Sequence, residues 1–171
     1  AETILMTQIG YENLLARITE KEKEYDQVRD HRQVAFELSG DGWHDNPEFN
    51  RMQQLEANLN HTLKTLNDRL DVMKFIDIHD GMRNVQQVEI GSIVKLRRYD
   101  LADDSEIEEI WEIRGFDETN IKLKHLAYNA PLAEKIMHLH VADIAEEVQI
   151  GSRHFDIEVV ALFKTRLIAG I

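Results

Sequence analysis

The chain of 171 residues reads as an α+β protein: a long antiparallel N-terminal coiled-coil hairpin followed by a small antiparallel sheet domain with one helix. Three observations predict this. Apolar and long side chains recur at spacings of four and three over two stretches, Leu14 to Leu38 and Met52 to Met73. Neither stretch holds an internal Gly or Pro, whereas Gly40, Gly42 and Pro47 gather between them. Beyond about residue 90 the helical period gives way to alternation, with turn residues at short intervals.

The first arm follows Leu14, Ile18, Lys21, Tyr25, Val28, Arg32, Ala35 and Leu38. The second follows Met52, Leu55, Leu59, Leu63, Leu66, Leu70 and Met73. Each is an a/d-type seam, apolar throughout on the second arm and interrupted by Lys21 and Arg32 on the first. Pro47 suits the first turn of a helix, with Asn46 as its N-cap. The helices therefore fold back on each other, and arms of about 30 residues reach roughly 45 Å. A structural coiled coil or a dimerisation rod would show the same seam.

The organisation that follows is a hairpin over residues 1–78, a linker over 79–90 marked by Gly81, and a compact domain over 91–171. In the domain, Ser92–Tyr99 and Ile107–Ile113 alternate as strands, and Asn120–Leu126 forms a third. Pro131 opens a short helix to about Leu139, and Ile144–Ile150 with Phe155–Phe163 makes a final hairpin across Gly151 and Ser152. The expected core is Ile110, Ile113, Leu123, Leu132, Ile136, Val148, Val159 and Ala161.

Composition narrows the function. The net charge is −12, with no basic tract or Arg-rich face, which argues against autonomous DNA binding through phosphates. There is no cysteine, hence no disulfide or thiolate metal site. No apolar run approaches a membrane span and no signal-peptide pattern opens the sequence, so a cytoplasmic protein without membrane partners is expected. No phosphate loop, Ser/His/Asp arrangement or dinucleotide fingerprint points to an enzyme.

The bend between the arms carries the chemistry. Glu37, Asp41, Asp45 and Glu48 lie in a stretch with no Lys or Arg between Arg32 and Arg51. Clustered carboxylates at a tip are what a hard divalent cation such as Mg²⁺ needs from a donor of oxygen ligands. His44 lies between the two aspartates as a solvated loop residue that can also bind a transition metal or a proton. Trp43 either packs on the adjacent turn or meets a partner surface. Elsewhere, His138 and His140 do not share a helix face, and His125 and His154 lack ligand partners at suitable spacing.

The order of these parts resembles the Gre family of bacterial transcript cleavage factors, of the GreA and GreB type. Met6-Thr7 and Gly10 resemble the family's opening, and Gly40-Asp41 with Asn46-Pro47-Glu48-Phe49 resemble its tip pattern, Gly-Asp-x-x-Glu-Asn-Ala-Glu-Tyr. Ile90–Leu96, Ile113–Glu118 and Asn129–Ile136 resemble its first strand, its Ile-Val-Gly-x-x-Glu segment and its Ser-Pro helix. The resemblance spans Met6 to about Lys164 and implies an FKBP-like second domain. It also implies a transcription elongation factor, not itself an enzyme, that docks on RNA polymerase and reaches through the secondary channel. Asp41 and Asp45 would be the catalytic pair, sharing an Mg²⁺ of the polymerase in the complex only, with no cofactor in the free protein. Trp43, His44, Asn46 and Glu48 would assist at the tip, and Asn129, Ala130, Pro131 and Leu132 would dock. Nascent RNA would be met only within the elongation complex.

Two departures from the family pattern bear on activity. Its acids are separated by two residues, whereas three separate Asp41 from Asp45, and the second is Asp rather than Glu. Gly42 is expected to absorb the extra residue through a positive φ. Ala130 replaces the Ser before Pro. The expectation is a factor that stimulates cleavage of backtracked RNA. The alternative is a cleavage-incompetent homologue that inhibits or regulates polymerase through the same channel. A peptidyl-prolyl isomerase would need an aromatic-lined pocket, for which Tyr99, Trp111, Phe116, Phe155 and Phe163 are too scattered.

Overall fold

The computed structural model describes residues 2–171, which form two compact units. One contains Tyr11–Lys74; the other combines Leu5–Gly10 with Phe75–Ile171. No helix among the described residues is long and apolar enough to cross a membrane.

The first unit is the helical hairpin. A short strand, β1 (Ile4–Met6), precedes α1 (Gln8–Ser39), and a 3₁₀ segment, Gly40–Asp45, leads into α2 (Pro47–Val72). Their 32 and 26 residues make helices of about 48 and 39 Å. The second arm ends earlier than its period suggests: Met73 turns extended, and Met73–Phe75 becomes β2, in a two-stranded sheet with β1. Leu14, Ile18, Ala35, Met52 and Leu66 are buried along the seam, and Leu59, Leu63 and Leu70 half-buried. Arg32, which interrupts the apolar seam, pairs across it with Glu56 at 2.8 Å. Leu38 departs from the seam reading, being 82% exposed. Phe49, from the second arm, is buried near the hairpin's end instead.

The second unit is a five-stranded mixed sheet in the order β5-β4-β3-β7-β6. Its strands are β3 (Ile93–Asp100), β4 (Glu106–Arg114), β5 (His125–Ala127), β6 (Ile144–Ile150) and β7 (Arg153–Phe163). Three pairings are antiparallel, but β5 runs parallel to β4, so the sheet is not purely antiparallel. The helix α3 (Pro131–Ile136) buries Leu132, Ala133 and Ile136 against Val94, Leu96, Ile113, Val148, Ile157 and Val159. A last turn of helix, α4 (Arg166–Ala169), follows β7.

The third strand is shorter than its sequence suggests, because Ile121–Lys124 is a turn that leaves Leu123 exposed rather than in the core. Ile110 and Ala161 are only half-buried. Both are register partners of Lys95, on the sheet face opposite Val94 and Leu96.

Residues 79–90 do not behave as a free linker. Val88 is wholly buried in the core, and Arg83 crosses to Glu112 on β4 with Nη1 2.7 Å from Oε2. The same Nη1 donates to the Gly91 carbonyl at 2.7 Å. Arg166 reaches the other Glu112 oxygen at 2.7 Å. Burial pushes the Glu112 carboxyl up, but the guanidiniums of Arg83, Arg114 and Arg166 outweigh it and hold the group below its usual range. A fragment beginning at Gly91 would lose Arg83 from this carboxylate and Val88 from the core.

Burial, reinforced by the charge of Arg114, pushes the nearby His125 down. Both groups therefore bind protons less readily folded than unfolded, and each contributes stability that is lost as pH falls. Stability should decline as pH drops below about 6.5, through His125, and again below about 4.5, through Glu112. Glu112→Leu should cost about 3–5 kcal/mol at neutral pH, because it strands buried guanidiniums, and should flatten the more acidic limb. Urea titrations across this pH range measure both; an unchanged midpoint for the variant would rule the network out as a stabilising feature.

Candidate functional site at the hairpin tip

The tip is assembled by residues from both arms. Gly40 ends α1 in the left-handed conformation, φ 55°, as a helix-terminating glycine does. Gly42, the expected site of positive φ, does not adopt it. The extra residue is accommodated by winding Gly40–Asp45 as 3₁₀ helix. Asn46 caps α2 as its position suggests: Oδ1 accepts from the backbone N–H of Glu48 at 2.9 Å and of Phe49 at 3.4 Å. Its amide nitrogen reaches back to α1, donating to the Ala35 carbonyl at 3.3 Å and to the Ser39 hydroxyl. The Ser39 hydroxyl donates in turn to the Ala35 carbonyl at 2.7 Å.

Trp43 packs inward. Its ring centroid lies 5.7 Å from that of Phe36 and 5.2 Å from that of Phe49, so one indole links the end of α1 to the start of α2. The exposed His44 ring lies tilted against Trp43, with centroids 3.5 Å apart. Of the two readings of Trp43, packing on the adjacent turn describes its surroundings in the protein alone.

The four carboxylates separate into two kinds. Glu48 is hydrogen-bonded by Arg51 at 3.0 Å, which holds its carboxyl below the usual range, and lies 3.1 Å from His31 across the hairpin. Glu37 accepts from Gln33 at 3.1 Å. Asp41 and Asp45 are exposed, and among the described residues neither side chain has a hydrogen-bond or ion-pair partner. Sequence reasoning missed His31 and Arg51 as neighbours of Glu48. Arg51 was detectable as the i+3 neighbour of Glu48 on one helix, whereas His31 is brought there only by the fold.

Residues four apart on a 3₁₀ helix are rotated by about 120° and separated by about 8 Å along the axis. That places Asp41 and Asp45 on different faces of the turn, whereas a spacing of three would stack them on one. Among the described residues, no three His, Asp or Glu side chains come together to hold a metal. The tip offers two separate, unpaired negative charges.

The predicted docking residues lie in the second unit. The Asn129 side chain accepts from the Asp117 backbone N–H at 2.9 Å and donates to its carboxylate at 2.8 Å, pinning the loop before α3. Ala130 is the N-cap of α3 and supplies no side-chain hydrogen bond, where Ser would. Pro131 is exposed at the first helical position. Leu132 is buried in the core, so it holds α3 in place rather than meeting a partner.

The fold and the tip together define a helical hairpin with two free acidic side chains at its end and a mixed sheet domain beside it in sequence. No protein-family model matches the chain, and no curated protein matches it. Among solved structures it is similar to the GreA factor homolog 1 (Gfh1) of Thermus thermophilus, at 18% identity and a TM-score of 0.43, covering 95% of this chain and 99% of that one. Gfh1 of Thermus aquaticus is 19% identical over 95% of this chain and 99% of its own, with a TM-score of 0.43. The prokaryotic transcription elongation factor GreA/GreB from Nitrosomonas europaea is 14% identical over 95% and 98%, with a TM-score of 0.36.

Removing the Asn46 side chain should loosen the tip specifically. Asn46→Ala should cost about 0.5–2 kcal/mol. The loss should appear as faster amide hydrogen exchange at Glu48 and Phe49, with the second unit unaffected; unchanged protection at those amides would refute the capping role.

Proposed function

We propose that this protein is a transcription elongation factor of the Gre type. It binds bacterial RNA polymerase through its sheet domain, at the loop around Asn129, Ala130 and Pro131, and presents the hairpin tip within the secondary channel. Catalysis belongs to the polymerase; the factor supplies charge and bulk. The observation that carries this reading is the pair Asp41 and Asp45, exposed and unpaired at the end of two long helices while the neighbouring glutamates have partners. Leaving two like charges unpaired gives the free protein no ion-pair stabilisation, and a plain coiled-coil rod has no use for them. The order of motifs from Met6 to Lys164 supports the same reading.

The 3₁₀ winding favours regulation without cleavage. Acids spaced four apart on a 3₁₀ turn start from different faces, and a displacement of about 1 Å in a catalytic group can cost on the order of a hundredfold in rate. Stimulation of cleavage would require the tip to rewind on the polymerase.

RNA length in a stalled, backtracked elongation complex tests this. The native protein should bind and leave the RNA at its intrinsic cleavage rate or slow it. Deleting Gly42 sets the acids three apart, one 3₁₀ turn, and should raise cleavage above the native level. Cleavage above the intrinsic rate with native protein, lost in Asp41→Asn and Asp45→Asn, would establish the stimulating reading instead. Failure of the native protein to bind polymerase would overturn both.

A further inference from the structure

The second unit contains a cavity of about 480 Å³ between Thr7–Ile9, at the start of α1, and Phe75–Ile78, with Arg114 in its wall. That volume is within the range of sites for small organic molecules. Two apolar side chains on it, Ile9 and Phe75, are 55% and 57% exposed, and Ile76 and Ile78 add further apolar lining. Water therefore covers apolar surface here that a ligand could bury.

Arg114 gives the cavity a charge. Three guanidiniums converge on the single buried carboxylate of Glu112. Arg83 and Arg166 each take a 2.7 Å bond to it and a second bond to a backbone carbonyl, of Gly91 and Leu123 respectively. Arg114 is left with one long contact, Nη1 at 3.5 Å from Glu112. Its Nε is buried without a hydrogen-bond partner, and its side chain is only 12% exposed. A guanidinium carries five donors in a fork suited to a carboxylate, so this one has donors to spare and is partly desolvated beside a cavity lined on one part by apolar and on another by polar side chains. Asp77 also lines the space, which disfavours a ligand carrying a second negative charge.

We propose that this cavity binds a small organic monocarboxylate with an apolar body, its carboxylate on Arg114 and its body between Ile9 and Phe75. Calorimetric titration of the full chain with octanoate, and with 1-octanol as the uncharged counterpart, tests it. Octanoate should bind saturably at one site, and octanol at least about tenfold more weakly, since a charge-assisted pair is lost. Arg114→Gln should weaken octanoate by a similar factor and leave octanol unchanged. Ile9→Trp, at an exposed position away from the Glu112 network, should fill the cavity and weaken both; it decides the matter should Arg114→Gln fail to fold. No saturable octanoate binding, equal binding of octanol, or octanoate affinity unchanged in Ile9→Trp would each overturn the assignment.

Discussion

Two helices that pair along one seam have no interior apart from that seam, so the place where they reverse must be closed by its own residues. In this protein the closure is an aromatic and hydrogen-bonded plug. Trp43, Phe36 and Phe49 pack as a triad in which each ring meets the other two, and Asn46 caps α2 while bonding back to Ala35 and Ser39 on α1. Most of the polar and apolar groups of the bend are used in this closure. Asp41 and Asp45 take no part in it: both are exposed on the 3₁₀ turn, a third of a turn apart on its ideal geometry.

The second unit depends on a different interaction. A sheet of five strands with one short helix has a modest core, and its opposite face carries a buried carboxylate, Glu112, that only a surplus of guanidiniums makes tolerable. Arg83 and Arg166 bring the segments before β3 and after β7 onto β4, which explains why residues 79–90 belong to the unit and not to a flexible connection. The same surplus leaves Arg114 under-used, so the device that organises this face also creates a weakly committed cation.

The legible parts of the sequence were those governed by local rules. The two arms, the reversal at Gly40–Pro47, the cap at Asn46 and the hairpin of β6 and β7 follow from periodicity, breaker residues and side-chain chemistry within a few positions. What escaped depends on contacts distant in sequence. Leu38 fits the seam's spacing but is exposed where Phe49 is buried. Leu123 alternates like a strand residue but falls in a turn before a three-residue strand that pairs in parallel. Gly42 was the natural candidate for the left-handed position, yet Gly40 takes it, because the helix must first be ended. At the site, the acidic residues were visible from composition alone. That Glu48 has partners and Asp41 has none requires knowing that His31 and Arg51 converge on one of them.

The central claim is that the tip acts inside RNA polymerase. Site-specific photo-crosslinking measures this most directly, with a benzophenone amino acid replacing exposed His44 in the full chain bound to a backtracked elongation complex. The account predicts adducts to polymerase segments around the catalytic centre or to the RNA 3′ end. Adducts confined to the outer surface of the enzyme, or none where a probe at Pro131 does crosslink, would contradict it.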